Sequence, residues 1–237
     1  MKNESIEWNR YAGMIFIFIP FLIQIPYTML IMNFQYPDIL RKPVGEILLE
    51  FQKGGATLVW TWWFFGISGL PLVFSYLSLY QITKVKSPLA SLTATTWGVV
   101  SLFFQLMGLL RWVFVVPILA NLYTDPNTSN VMKEAILVNF QIIHHLFGVL
   151  LGEHLGQLFT IFWMAIFSFI IWKDGIFPKW ISVFGFVSSF IYLLAQLELF
   201  AIVIPGLSEI PLAGLVGSLC WLFWMVSLGI QMIRIKP

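Results

Sequence analysis

Six apolar runs dominate the chain, each near or above the about 20 residues that a helix needs to cross the hydrocarbon core of a bilayer. They cover residues 11–32, 55–82, 89–117, 150–172, 177–204 and 211–233. In hydrocarbon, every backbone N–H and C=O must find its partner within the chain, so runs of this length fold as helices. Turn-forming breaks separate most of them: KVKSP at 84–88, TDPNTSN at 124–130, KDG at 173–175 and IPGLSEIP at 204–211. Only 10% of the residues are charged and 59% are hydrophobic, whereas a soluble domain carries about a quarter charged residues. The expected fold is all-α: an integral membrane bundle of six transmembrane helices forming one domain over residues 1–237, with no internal repeat. The run 11–32 is too long for a typical signal-peptide core and no small-x-small cleavage site follows it, so it reads as the first span.

Two segments lie outside the six spans. Residues 38–52 are charged, carry Pro43 near a first turn, and offer Ile47, Leu48 and Phe51 on one side. A short interfacial helix in the first outer loop is expected there, able to act as a lid. Residues 131–149 form an extra helical segment. It either continues the span 150–172 outward or forms a separate helix.

The basic residues orient the spans. Lys2, Arg10, Lys84, Lys86, Lys173, Lys179, Arg234 and Lys236 fall on the side of the termini; Arg41, Lys42, Lys53 and Lys133 fall on the other. Eight against four places both termini in the cytoplasm of a cell with a multi-pass plasma-membrane protein. Trp8, Trp172 and Trp180 near the inner ends, and Trp60, Trp62, Trp63 and Trp112 near the outer ends, fit interfacial belts. A net charge of +2 gives no argument for nucleic acid, and the single cysteine, Cys220, excludes an intrachain disulfide. The expected partners are membrane lipids and a small amphipathic ligand.

Topology converts position into depth. At about 1.5 Å per residue, Arg111 lies about 33 Å from the inner start of span three, close to the outer boundary. Counting back about 20 residues from Trp172 brings Glu153 and His154 to the same level. Glu198 reaches it on span five. A charge in hydrocarbon costs roughly 3 kcal/mol or more, so such residues face the bundle interior and find partners. Arg111 with Glu153 is the expected pair, with Glu198 the second choice. Gly148, Gly152 and Gly156 recur every four residues and form a smooth face for close helix packing.

Three histidines raise the question of a metal. His144 and His145 differ by about 100° around a helix and His154 lies about 15 Å further on, so one continuous helix cannot aim all three at one ion. No metal and no cofactor is expected. His144 and His145 read as polar residues near the outer interface. The chain has no GxSxG, HExxH, Walker loop or CxxC.

Several motifs together carry a resemblance: YPDILRKP-x2-EIL before a Gly-Gly start to span two, Arg111-Trp112 with Pro117 five residues later, GEHLG in span four, and IFPKW before span five. With these the chain resembles a bacterial family of small polytopic membrane proteins catalogued as a domain of unknown function. The resemblance covers nearly the whole chain and implies a six-to-seven-helix membrane fold; it implies no catalytic residue. Three functional readings stand open. A transporter or sensor would bind an amphipathic ligand through Arg111, with Glu153 and His154 tuning its charge. An intramembrane lipid-modifying enzyme would use Glu153 as base, although no nucleophile or metal stands clearly in its reach. An accessory protein would use the Arg111–Glu153 pair only to lock helix packing.

Overall fold

A computed structural model describes residues 2–235, with side chains from Glu7 onward. The side chain of Lys2 and all of Lys236, both counted above, lie outside the described residues. The helices are α1 (Lys2–Phe34), α2 (Val44–Ile67), α3 (Leu72–Thr83), α4 (Pro88–Phe114), α5 (Val116–Thr124), α6 (Asn130–Ile143), α7 (Gly156–Asp174), α8 (Lys179–Ala201) and α9 (Ala213–Ile233). A π-helical stretch, His144–Leu155, joins α6 to α7, and a 3₁₀ turn, Asp38–Arg41, precedes α2. These form six helical runs long and apolar enough to cross a membrane: Glu7–Phe34, Val44–Thr83, Pro88–Thr124, Asn130–Asp174, Lys179–Ala201 and Ala213–Ile233.

The boundaries follow local chemistry. Pro88 opens α4, where its missing N–H costs nothing. Pro117 separates α5 from α4 at Val115, because proline cannot donate to the preceding turn. Ser129 caps α6 by accepting the Met132 N–H at 3.3 Å. Gly175 ends α7 in the left-handed region, at φ 64°.

Residues 130–174 run as one helical stretch of 45 residues, so the extra segment continues span four. Between Ser129 and Gly175 the sequence offers no proline and no polar turn; the stretch changes its hydrogen-bond register at His144–Leu155 rather than breaking.

A short helix does precede the second span, with its apolar face turned to protein rather than to the interface. The 3₁₀ turn covers Asp38–Arg41, and α2, which starts at Val44, is kinked at Gly55 into two helical parts. Ile47, Leu48 and Phe51 do share a face, and that face is buried in protein. Gly55 divides α2 with φ 53° and ψ −149°, a backbone region essentially reserved for glycine. A Cβ there would meet nothing within 4 Å, so the cost of a side chain is purely conformational. Gly55→Ala is expected to lower stability by about 1–3 kcal/mol, measured as a fall in the thermal midpoint. An unchanged midpoint would mean that the kink relaxes freely.

The chain divides into two compact units. Unit 1 comprises Met1–Phe21, Leu70–Phe103 and His154–Pro237; unit 2 comprises Leu22–Gly69 and Phe104–Glu153. In unit 1, α8 packs against both α7 and α9, and Phe16, Tyr76, Trp163 and Trp224 form the aromatic interior. Ser75 donates to Ala12 O at 2.7 Å and Ser78 to Asn9 Oδ1 at 2.8 Å, tying α3 to the start of α1. In unit 2, α2 packs on α5 and α6 around Phe34, Phe51, Trp62, Trp112 and Phe140.

Candidate functional site

Arg111 sits on the last turn of α4 in unit 2. It is only 7% exposed, so it does not snorkel outward. Its Nη1 donates back to Gly108 O, one turn earlier. Its Nη2 lies 3.3 Å from His144 Nδ1. A guanidinium only donates, so Nδ1 of His144 is the acceptor and the neutral ring carries its proton on Nε2. The guanidinium carbon stands 5.2 Å from the Trp112 ring centroid, a cation–π contact. Glu153 and Tyr36 lie within electrostatic range of Arg111.

Aromatic rings form the rest of the wall. Trp112 stacks on Trp62 at 4.8 Å and 8°, and Phe34 packs edge-on to Trp112 at 5.4 Å. Phe140 stacks on His144 at 5.7 Å and 9° and packs edge-on to Trp112. Trp62 and Trp112 are therefore not interfacial anchors as their positions in the sequence imply. Both are fully buried, because their rings complete the core of unit 2, whereas Trp60 on the opposite side of α2 is 64% exposed. Trp8, Trp172 and Trp180 are exposed. Arg111 Nε, Trp62 Nε1 and Trp112 Nε1 are buried N–H donors without an acceptor among the described residues.

The glycines divide their work. A Cβ on Gly148 would come 2.5 Å from Arg111 Nη2, so this glycine makes room for the guanidinium. Gly152 meets Gly108: a Cβ on Gly108 would lie 2.7 Å from Gly152 Cα. Gly156 belongs to unit 1, where its carbonyl lies 2.7 Å from Ser101 Oγ and 3.0 Å from Thr160 Oγ1, two hydroxyls that share their protons between it and each other.

His154 and Glu198 also belong to unit 1. His154 Nδ1 lies 2.8 Å from Gln196 Oε1, and Gln196 Nε2 donates to Gln157 Oε1 at 2.6 Å. An amide oxygen only accepts, so His154 carries a proton on Nδ1 and donates it to Gln196 Oε1. The Phe200 ring packs edge-on to this imidazole at 5.5 Å. Glu198 Oε2 faces Gly214, 3.9 Å from where a Cβ would stand. Of the four residues expected at one level, unit 2 thus holds Arg111 and Glu153. Its further member is His144, which the sequence alone places only as a polar residue near the outer interface. Arg111 at 111 and His144 at 144 carry no spacing signal that links them. Among the described residues, no group of three His, Cys, Asp or Glu could hold a metal ion.

Six apolar helical runs with an arginine enclosed in aromatic core define a polytopic α-helical membrane protein. Residues 11–229 match the model of a family described as a domain of unknown function (DUF4386), and the chain belongs to that family. No curated protein and no solved structure matches it.

Proposed function

We propose that the protein binds an anionic amphipathic molecule in the membrane through Arg111, as a sensor or carrier would. The observation that supports this is the unspent donor capacity of a buried cation. Arg111 is enclosed, yet its Nε, with the neighbouring indole N–H groups of Trp112 and Trp62, has no acceptor among the described residues. Buried donors are rarely left so, since each unmade bond costs about 1–3 kcal/mol. A carboxylate or phosphate oxygen is the acceptor that a guanidinium fork fits best. The aromatic surroundings suit the apolar chain of such a molecule. Glu153 competes with the ligand for the guanidinium, and so sets its affinity. Both termini in the cytoplasm and a plasma-membrane location complete this reading; the eight-to-four distribution of basic residues supports them.

The test uses purified protein in detergent, with palmitate and hexadecanol as probes and tryptophan emission as readout. Palmitate is expected to bind at least about tenfold more tightly than the alcohol, the equivalent of about 1.4 kcal/mol. Arg111→Gln should erase that preference, and Glu153→Gln should strengthen it. Equal binding of the two probes to the native protein would overturn the proposal, whether or not the variants fold.

A second reading rests on the tight enclosure of the guanidinium by Gly108 O, His144 and Gly148. In an accessory protein, the same contacts would serve only to hold α4 against the His144–Leu155 stretch.

A further inference from the structure

One face of α4 within unit 1 carries a row of polar groups that the helix does not satisfy. Ser87, Ser91 and Thr95 stand four residues apart, and are 6%, 0% and 5% exposed. None of their hydroxyls has a partner among the described residues. Most other buried hydroxyls of the same unit behave differently, Ser168 Oγ on α7 being an exception. Thr83, Thr160, Ser188 and Ser189 each donate to the carbonyl four residues back, at 2.9, 3.0, 2.7 and 2.7 Å, the usual way to hide a hydroxyl in a membrane helix. Ser87, just before α4, and Ser91 and Thr95 on it make no such bond.

The row continues past Thr95. At Gly98 the missing side chain lets the Trp163 ring pack directly on the helix: a Cβ would lie 2.8 Å from Trp163 Cδ1 and 3.1 Å from its Nε1. That indole N–H is fully buried and also without an acceptor. One turn further, Ser101 Oγ and Thr160 Oγ1 pair at 2.6 Å and close the row. At the opposite end, Lys86 Nζ donates to Asp174 O at 2.8 Å, and Asp174 Oδ2 is a buried oxygen without a donor. From Ser87 to Gly98 the row spans about 16 Å of helix.

We propose that this face of α4 holds a file of buried water molecules running from the Lys86–Asp174 end to the Ser101–Thr160 pair. Hydroxyls both donate and accept, an indole N–H donates and a carboxylate accepts. Successive waters can therefore bridge groups four residues apart and reach the roughly three hydrogen bonds that buried water makes. Leaving these groups dry would forfeit their hydrogen bonds where no bulk solvent replaces them. The file brings hydrogen-bonded solvent along a spanning helix whose unit 1 portion has no ionisable residue of its own between Ser87 and Phe103. It does not depend on ligand binding at Arg111, which lies in unit 2.

Two buried tryptophans of unit 1 provide the test. Trp163 faces the row, whereas Trp224 is equally buried and spends its N–H on Ile181 O at 3.0 Å. The full chain in nanodiscs, in ¹⁸O-labelled water, is exposed to a brief X-ray pulse that makes hydroxyl radicals from water at the site. Side chains beside ordered water take up the label. Trp163 is expected to be labelled at least about tenfold more than Trp224, because labelling requires adjacent water. Ser91→Ala combined with Thr95→Val should bring Trp163 down to the level of Trp224. Equal labelling of the two tryptophans in the native protein would overturn the proposal, even if the double variant fails to fold.

Discussion

Arg111→Gln and Glu153→Gln, made singly, are each expected to destabilise the protein by about 3–5 kcal/mol, and the double variant to recover most of that loss. The large single effects follow because Arg111 is buried and the half-buried Glu153 lies within its electrostatic range, so removing either charge leaves the other uncompensated. The recovery follows because two neutral amides leave no unpaired charge. Arg111 also loses its contacts to Gly108 O, His144 and the Trp112 ring, so recovery should be incomplete. Thermal unfolding in detergent across the four proteins gives the coupling energy. Strictly additive losses would show that the two residues act independently, and Arg111 would then rely on His144 and the aromatic wall alone. Combined with the palmitate comparison, the cycle separates the two functional readings. A ligand site predicts tighter palmitate binding in Glu153→Gln; a packing lock predicts only lost stability.

Gly108→Ala should be the most damaging single-methyl change in unit 2, costing about 1–3 kcal/mol or preventing folding outright. The added Cβ would stand 2.7 Å from Gly152 Cα and 2.9 Å from Phe147 O. Both are backbone atoms, which cannot rotate away as a side chain does, so α4 and the π-helical stretch would have to separate. Gly152→Ala meets Gly108 Cα and Phe147 O at 3.1 Å and should be milder. Gly66→Ala is the control, since its nearest neighbours are leucine side-chain atoms at 3.5 Å or more. Expression and thermal midpoint should rank Gly66→Ala above Gly152→Ala above Gly108→Ala. An unchanged Gly108→Ala protein would sink the close-approach argument.

The spans were legible because their signal is local. Six apolar runs, bounded by proline, glycine and charged breaks, require only hydropathy and turn chemistry to recognise. The enclosure of Arg111 was legible for a related reason, since a charge inside an apolar span must find shelter within the protein. The packing role of Gly152 could also be anticipated from small-residue spacing.

Other features needed the third dimension. Trp62 and Trp112 sit among other tryptophans near span ends, and no local pattern tells an interfacial ring from one that stacks 4.8 Å from its partner in a core. Ile47, Leu48 and Phe51 present an apolar stripe whatever covers it, and only packing decides that the cover is protein. Gly148 is indistinguishable in sequence from a helix-contact glycine, yet it accommodates a guanidinium. His144 becomes Arg111's acceptor through a contact between residues 33 positions apart. By itself, then, the sequence determined a six-span helical membrane protein, because the bilayer acts on each segment separately. The tertiary structure alone decided which of those residues face one another and which donors remain unspent, because those are properties of how helices meet.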